Sequence, residues 1–592
     1  MTKLEALKQA STKHELATLL GVKTSTLTHV LYKLKPDNQY YQFEISKRNG
    51  GKRIISAPTE RLKNLQSRLS NLLQDCIDDI NEVKYPNPKI KRSTLAHGFV
   101  RERSIITNAM MHLNKNNVLN IDLENFFDSF NFGRVRGFFI KNRNFELDSG
   151  IATVIAQIAC YNNKLPQGSP CSPVITNLIT HSLDIRLASL AKKHSCIYSR
   201  YADDITFSSR KSVFPTQIMR QEENGEYIAA KKLGSEIERA GFSINDKKTR
   251  IQYKDSRQDV TGLIVNKKPN IKKEYWRTVR SQCHSLFHTG TFTKKVADGE
   301  VKEGNINKLE GQLNFIDQVD LYNRLRQKVP VNHTYVIANQ GLNSQSLLSG
   351  REKTFSRFLY YRLFYGNTQP IILCEGKTDN IYLKSAISIL VNGYPKLAKE
   401  KTKDNAYELL IRFMKYSKRT RFLMGLDDGG AGSLKYFINK FNVHYKYYKA
   451  PKPQHPVIIV LDNDDGFSGF PKDLSKIDTV TSYPNTLKKD NYTEAEFIHV
   501  IHNLYIVMTP LNSGKESCIE DLFDIKTRNI KVSNKTFNPD DKTRDKDKEY
   551  SKEVFAQKVI KAQKENINFG GLKPLLDRVV AAMTHYDSVK NL

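Results

Sequence analysis

Tryptophan occurs once in 592 residues, and acid is in short supply: 62 Asp and Glu face 93 Lys and Arg, a net charge of +31. That imbalance points to a polyanionic partner, nucleic acid being the usual one, against the plainer reading of a solvated basic surface. Cysteine is sparse. Seven are scattered with no C-x-x-C pair, which argues against a disulfide framework or a zinc site. No apolar run is long enough to span a bilayer, so no membrane partner is expected. The opening MTKLEALKQASTKHELATLL carries Glu and His and lacks a signal-peptide core, and a cytoplasmic location is expected. No long-period repeat is present. What is abundant is ring surface, 28 Tyr and 29 Phe, most of it core and the rest able to stack on bases.

The length suits two or three domains. Residues 1–35 read as an N-terminal helical region, HELATLLGVKTSTLTHVLYKL resembling a helix-turn-helix or two plain packing helices. From 36 to 270 strands and helices mix, as in an α+β domain, with YYQFEISKRNGGKRIISAP as a hairpin bearing Lys47, Arg48, Lys52 and Arg53. Residues 271–366 are helical and basic. From 367 to 592 buried-strand runs, PIILCEG and VIIVLDNDDG, alternate with helices, which predicts a parallel α/β domain with a helical extension. The polar stretch 533–552 reads as a loop or partly disordered insert.

In YSRYADDITFSS two aspartates, Asp203 and Asp204, sit side by side where a hairpin should turn. A third carboxylate, Asp122, ends the strand in NVLNIDLENFFDSF, 81 residues before Asp203. Three carboxylates at one site stay ionised only with cations among them. A pair of Mg²⁺ ions meets that need and clamps the attacking and leaving oxygens of a phosphoryl transfer. LPQGSPCSPVITN, at 165–177, lets backbone approach a base pair closely. RNGGKR puts cations on a hairpin tip, where they would grip a triphosphate. GFSINDKKTR offers Lys247 and Lys248, either of which could protonate a leaving pyrophosphate.

In order and spacing, NIDLENFF, LPQGSPCSP, YADD, GFSINDKKT and VTGLIVN resemble the palm of a reverse transcriptase. The resemblance implies a right-hand polymerase: fingers and palm at 36–270 and a basic thumb or connector at 271–366. It implies Asp122, Asp203 and Asp204 as metal ligands and catalytic residues, with Lys248 as the acid and Lys247 its rival. Phe127 would be the gate that selects dNTPs, Gln167 and Gly168 would line the template–dNTP pair, and Arg53 with Lys52 would contact the triphosphate. NAMMH and VTG resemble elements of bacterial retron reverse transcriptases, which implies RNA recognition by Asn108, His112, Val260, Thr261 and Gly262. A core role is the plain alternative for His112. The family implies a cognate structured noncoding RNA, priming from an internal guanosine 2′-OH, and branched RNA-linked DNA. No ribonuclease H constellation is seen, so template removal falls to a host ribonuclease H.

A second set of acids follows. Glu375 and Asp379 lie in CEGKTDNIYL, Asp462 and Asp464 in VLDNDDG, and Glu520 with Asp521 in CIEDLF. Strand carboxyl ends are where α/β sheets place ligands. An EF-hand is excluded, because position twelve from Asp462 is Asp473 and not Glu. The pattern resembles a Toprim domain of the nuclease kind. This implies Glu375 as acid or base, Mg²⁺ on Glu375, Asp379, Asp462, Asp464 and Glu520, and a weaker match at Lys552. GLDDGGAGS would supply a turn with Asp427 and Asp428. The whole reading is a retron-type polymerase fused to a Toprim nuclease in antiphage defence, with a homo-oligomer allowed. The alternative is a mobile-element reverse transcriptase whose Toprim part binds nucleic acid or aids priming.

Overall fold

Leucines spaced at helical intervals build the first part of the chain. Thr2 with Glu5 and Thr12 with Glu15 form reciprocal caps that start α1 (Lys3–Gln9) and α2 (Lys13–Leu19). With α3 (Thr24–Thr28) they bury Leu7, Leu16, Leu20 and Leu27 in one core with Leu62, Leu65, Leu69 and Leu73 of α4 (Glu60–Lys84). Residues 1–35 therefore pack as part of the larger unit and have no core of their own.

The computed structural model describes residues 1–46, 51–86, 95–223, 225, 227–295, 299–326, 347–402, 405–426, 430–485, 492–511 and 514–591. Two compact units divide the chain: Met1–Trp276 with Lys295–Glu300, and Arg277–Lys294 with Val301–Leu592. No helix among the described residues is long and apolar enough to cross a membrane.

In the first unit a hairpin of β1 (Tyr40–Ser46) and β2 (Lys52–Pro58) precedes α4. The central sheet joins β3 (Asn117–Asp122), β4 (Cys196–Tyr201), β5 (Asp204–Ser209) and β6 (Arg250–Tyr253) in the order β4-β5-β3-β6, all antiparallel. Val118, Leu119 and Ile121 of β3 are buried, as its apolar pattern requires. Helices α5 (Ile105–Met111), α6 (Phe132–Lys141), α7 (Ser149–Ala159) and α8 (Ser172–Lys193) complete the frame around it. A small hairpin, β7 (Asp259–Val260) with β8 (Leu263–Ile264), packs on α5.

In the second unit β9 (Ile371–Cys374), β10 (Arg412–Phe413), β11 (Val457–Leu461), β12 (Thr481–Tyr483), β13 (Phe497–Ile501) and β14 (Leu504–Met508) form one sheet. Its order is β10-β9-β11-β14-β13-β12. β10, β9, β11 and β14 run parallel, while β13 and β12 are antiparallel. The expected parallel sheet is thus mixed. The reason is local: Ile501 pairs with Leu504 across His502 and Asn503, and a two-residue connection can join only antiparallel strands.

Stretch 533–552 is mostly loop and turns, pinned by Thr536–Phe537 laddered on Glu549–Tyr550 and by Phe537 stacked on Phe555 at 4.2 Å. Its few rings reach the core through an otherwise polar sequence. The basic helical stretch ends at Tyr365, before β9. Helices α10 (Lys273–Thr289), α11 (Ile306–Leu325) and α12 (Gly350–Tyr360) fall largely in the second unit. Arg419, on a later helix, donates to Asp317 of α11 at 2.7 Å and to Glu352 of α12 at 2.8 Å.

Candidate active sites

The β4–β5 hairpin turns through two residues, Ala202 and Asp203, between the paired Tyr201 and Asp204. Ala202 has φ 55°, a conformation that costs an L-residue with a Cβ roughly 1–2 kcal/mol. The surroundings over-determine it. Arg200, 0% exposed, donates from Nη1 to the Ala202 carbonyl at 2.9 Å. Its Nε and Nη2 donate to the two oxygens of Asp184 at 2.7 and 2.8 Å, and Tyr198 Oη donates to the same acid at 2.7 Å. From the other side Gly98 abuts the turn: a Cβ there would lie 2.7 Å from Ala202 N. Asn177 Nδ2 donates to the Gly98 carbonyl at 2.7 Å. A buried ion pair and a glycine therefore set the turn that presents the aspartates. Sequence reading missed Gly98, Asp184 and Arg200, because none has a local signature.

Asp122 and Asp204 are register partners on β3 and β5, and Leu123 N donates to the Asp203 carbonyl at 3.0 Å. The three carboxylates share one sheet end. Burial pushes the Asp204 carboxyl up to about 6, with Asp203 and Asp122 adding to it, and burial raises Asp203 as well. Lys248, presented by the turn Asp246–Lys248, donates to both oxygens of Asp122 at 2.9 and 3.0 Å. Asn245 Nδ2 joins it at 3.2 Å. It is Lys248, and not its rival Lys247, that makes this contact. No three Asp, Glu, His or Cys side chains among the described residues stand in coordination geometry. The donor chemistry nonetheless fits Mg²⁺: all ligands are carboxylate oxygens, and the one ammonium bonded there sits on Asp122, with Arg53 and Arg250 acting on Asp203 and Asp204 from a distance.

The β1–β2 hairpin docks on this site. Ser56 N donates to the Gln167 carbonyl at 3.1 Å, and Gly168, at φ 127°, leaves no room for a Cβ, which would lie 2.6 Å from Ser56 O. Arg53 is close enough to Asp203 to oppose its raised pKa. Lys52 instead pairs with Glu44 at 2.6 Å, which separates the two cations expected on the triphosphate. Lys47 and Arg48 lie outside the described residues. Phe127 opens a short helical turn five residues after Asp122 and meets Phe126 edge-on at 5.5 Å, half-buried.

Asn108 and His112 are not on the surface. Both are fully buried between α5 and the sheet. Ser199 donates to Asn108 Oδ1 at 2.6 Å, while His112 Nε2 is 2.7 Å from Ser199 Oγ and Nδ1 is 2.7 Å from Ser208 Oγ. With the Ser199 proton already given to Asn108, the ring carries its proton on Nε2. Burial drives the His112 pKa down to about 3, so the ring is neutral. Direct RNA contact by this pair is thus replaced by a core role. Val260 is buried too. Thr261 and Gly262, φ 47° and 83°, form the β7–β8 turn, and Thr261 Oγ1 donates to the Ile105 carbonyl of α5 at 3.2 Å. The two short motifs meet each other, with Gly262 exposed.

The second unit gathers four of its expected acids at the carboxyl ends of β9 and β11. Glu375 N donates to the Val460 carbonyl at 3.2 Å, and Gly376 N donates to Asp379 Oδ2 at 2.7 Å. Asp462 Oδ1 accepts from Ile519 N at 2.9 Å, which brings the Glu520 turn alongside. Lys552 donates to Glu520 Oε2 at 3.0 Å. Burial pushes Asp462 up to about 8, with Asp379, Glu520 and Glu375 adding, and raises Asp379 to about 6, with Glu520 adding. Asp464 serves the next turn, accepting from Gly466 N at 2.8 Å, and Asp521 pairs with Arg528 at 3.0 Å. Carboxyl groups forced together in a sheet crevice again fit an oxygen-seeking cation. Asp427 and Asp428 lie outside the described residues.

The family model "Reverse transcriptase (RNA-dependent DNA polymerase)" matches residues 45–265, which hold every acid of the first site. The Retron Ec86 reverse transcriptase of Escherichia coli is 32% identical over 312 residues, 52% of this chain and 84% of that relative. Two Myxococcus xanthus proteins, the Retron Mx162 and Retron Mx65 reverse transcriptases, are 31% and 33% identical over 53% and 46% of this chain. The chain spans 65% and 62% of their lengths. Given the acids at one sheet end and these matches, the chain belongs to the retron reverse transcriptases.

Proposed function

We propose that this chain copies a cognate structured noncoding RNA into DNA, starting from an internal guanosine 2′-OH, and that its second acid site cuts nucleic acid. The observation that carries the polymerase reading is the register of Asp122 with Asp204, with Asp203 in the turn between strands. Bound Mg²⁺ would activate the attacking hydroxyl and steady the charge on the transferred phosphate. Arg53 grips the incoming triphosphate, Gln167 and Gly168 bound the nascent pair, and Phe127 excludes a ribose 2′-OH. Lys248 hands a proton to the departing pyrophosphate. The experiment is sequencing of nucleic acid that copurifies with the protein. Branched RNA-linked DNA is expected, and linear DNA alone would remove the 2′-OH step.

The nuclease reading rests on Glu375, Asp379, Asp462 and Glu520 meeting at strand carboxyl ends, in a pattern that resembles Toprim nucleases. Glu375 serves as acid or base, and the other carboxylates hold Mg²⁺. An antiphage role, in which the RNA–DNA product restrains the second site, follows from joining the two activities in one chain. In cells challenged with phage, Glu375→Ala should abolish protection and leave DNA synthesis intact. Unchanged protection would remove this half of the proposal.

A further inference from the structure

The β1–β2 hairpin has two unlike faces. Its register sets Tyr41 opposite Ala57, Phe43 opposite Ile55 and Ile45 opposite Arg53. Cross-strand partners and alternate residues share a face, so Tyr41, Phe43, Ile45, Ile55 and Arg53 lie together. The other face is mostly polar, with Ile54 exposed alone among polar residues: Gln42 Nε2 donates to Ser56 Oγ at 3.3 Å, and Lys52 pairs with Glu44. On the apolar face Tyr41 is 58% exposed, Phe43 43% and Ile45 48%. The two rings lie 6.2 Å apart with planes 26° from parallel, side by side along the strand.

An apolar stripe left in water on a two-stranded ribbon calls for an occupant. Position identifies it. The same face carries Ile55, whose Cγ2 lies 3.1 Å from a Cβ position on Gly168, and Arg53, whose charge bears on Asp203. The stripe therefore continues from the polymerase site. Within a chain of net charge +31, a partner that combines flat apolar faces with negative charge is single-stranded nucleic acid. A second copy of this chain would bring Arg53 against another cationic surface.

We propose that Tyr41 and Phe43 form a stacking platform for the unpaired bases of the RNA template ahead of the polymerase site. Stacking accepts any base, which suits a strand that must slide past one nucleotide at a time. Arg53 closes the platform on the side of the triphosphate, so a template base leaves the rings as it enters the nascent pair. This inference rests on the polymerase reading above.

The test uses the full-length protein and a primer annealed to RNA, either flush or with a 5′ single-stranded template extension. Binding is read by fluorescence anisotropy. The extension should tighten binding by the wild type. Tyr41→Ala with Phe43→Ala should weaken the extended substrate about tenfold and leave the flush one unchanged. Tyr41→Phe should behave as wild type. A thiouridine at the first unpaired template positions should crosslink to the peptide holding residues 41–46. Equal losses on both substrates, no gain from the extension, or a change of subunit number without a change in extension affinity would each overturn the platform. A wild type that adds no dNTP on the extended substrate would fail the polymerase reading; normal addition there, with binding no tighter than to the flush substrate, would fail the platform alone.

Discussion

Two acid sites stand at two sheets of opposite kind. The first lies on antiparallel strands, where a hairpin turn and a neighbouring strand bring Asp122, Asp203 and Asp204 together. The second lies beyond parallel strands, where loops leave β9 and β11 on the same side. Each has one lysine on one carboxylate, Lys248 on Asp122 and Lys552 on Glu520. They differ in depth: Lys248 is 58% exposed and Asp122 14%, against 37% for Lys552 and 2% for Glu520. Asp204 is raised to about 6, Asp462 to about 8. The antiparallel site is an open ledge, suited to a duplex that must pass over it. The parallel site is a crevice in which a carboxyl holds its proton more tightly.

That contrast can be broken at several points. The largest effect is expected from Asp203→Asn with Asp204→Asn, which should reduce dNTP incorporation to background and leave the nuclease activity proposed for the second site untouched. Glu375→Ala should do the reverse, and measuring both activities on both proteins shows whether the sites are independent. Next is the clamp beneath the open site. Arg200→Met strands Asp184 as a buried charge and should cost about 3–5 kcal/mol by denaturant unfolding. Pairing it with Asp184→Leu should recover most of that stability, yet incorporation should stay low because the Ala202 carbonyl is no longer held.

Lys248→Ala should slow incorporation about 10²-fold, as expected for loss of a general acid. The smallest effect concerns pH alone. His112 titrates near 3 in the fold and near 6.5 when unfolded, so its contribution is complete above pH 6.5 and is lost as pH falls toward 3. The loss is at most about 1.4 kcal/mol per pH unit across that window. His112→Gln should remove that acid sensitivity in thermal melts of the full chain.

The sequence made the acids legible and concealed what aims them. Asp122, Asp203 and Asp204 each read alone as a helix cap or an acidic turn, and stood out only in company with LPQGSPCSP, RNGGKR and GFSINDKKT. Glu375, Asp379 and Asp462 stood out by each following an apolar strand. Asp184 did not, since an acid within a long helix reads as a solvated residue; only the tertiary fold sets Arg200 against it. His112 was misplaced because a polar residue in a short motif reads as a contact, whereas two serines on β4 and β5 satisfy it inside. The mixed sheet escaped because His502 and Asn503 lack the Asn-Gly or Asp-Gly pattern that announces a tight hairpin. Tyr41, Phe43 and Ile45 read as an ordinary alternating strand, and only their exposure makes them a surface.

The rings after α12 bear on how the molecule can be taken apart. Tyr360 faces Phe437 and His444, Phe364 faces Phe437, and Tyr365 touches Tyr445 and Tyr448. A gene split where the composition changes, at 366, would slice through this aromatic seam and bare the rings on both sides of it. Expression of the second unit alone must begin upstream, with the basic helices retained.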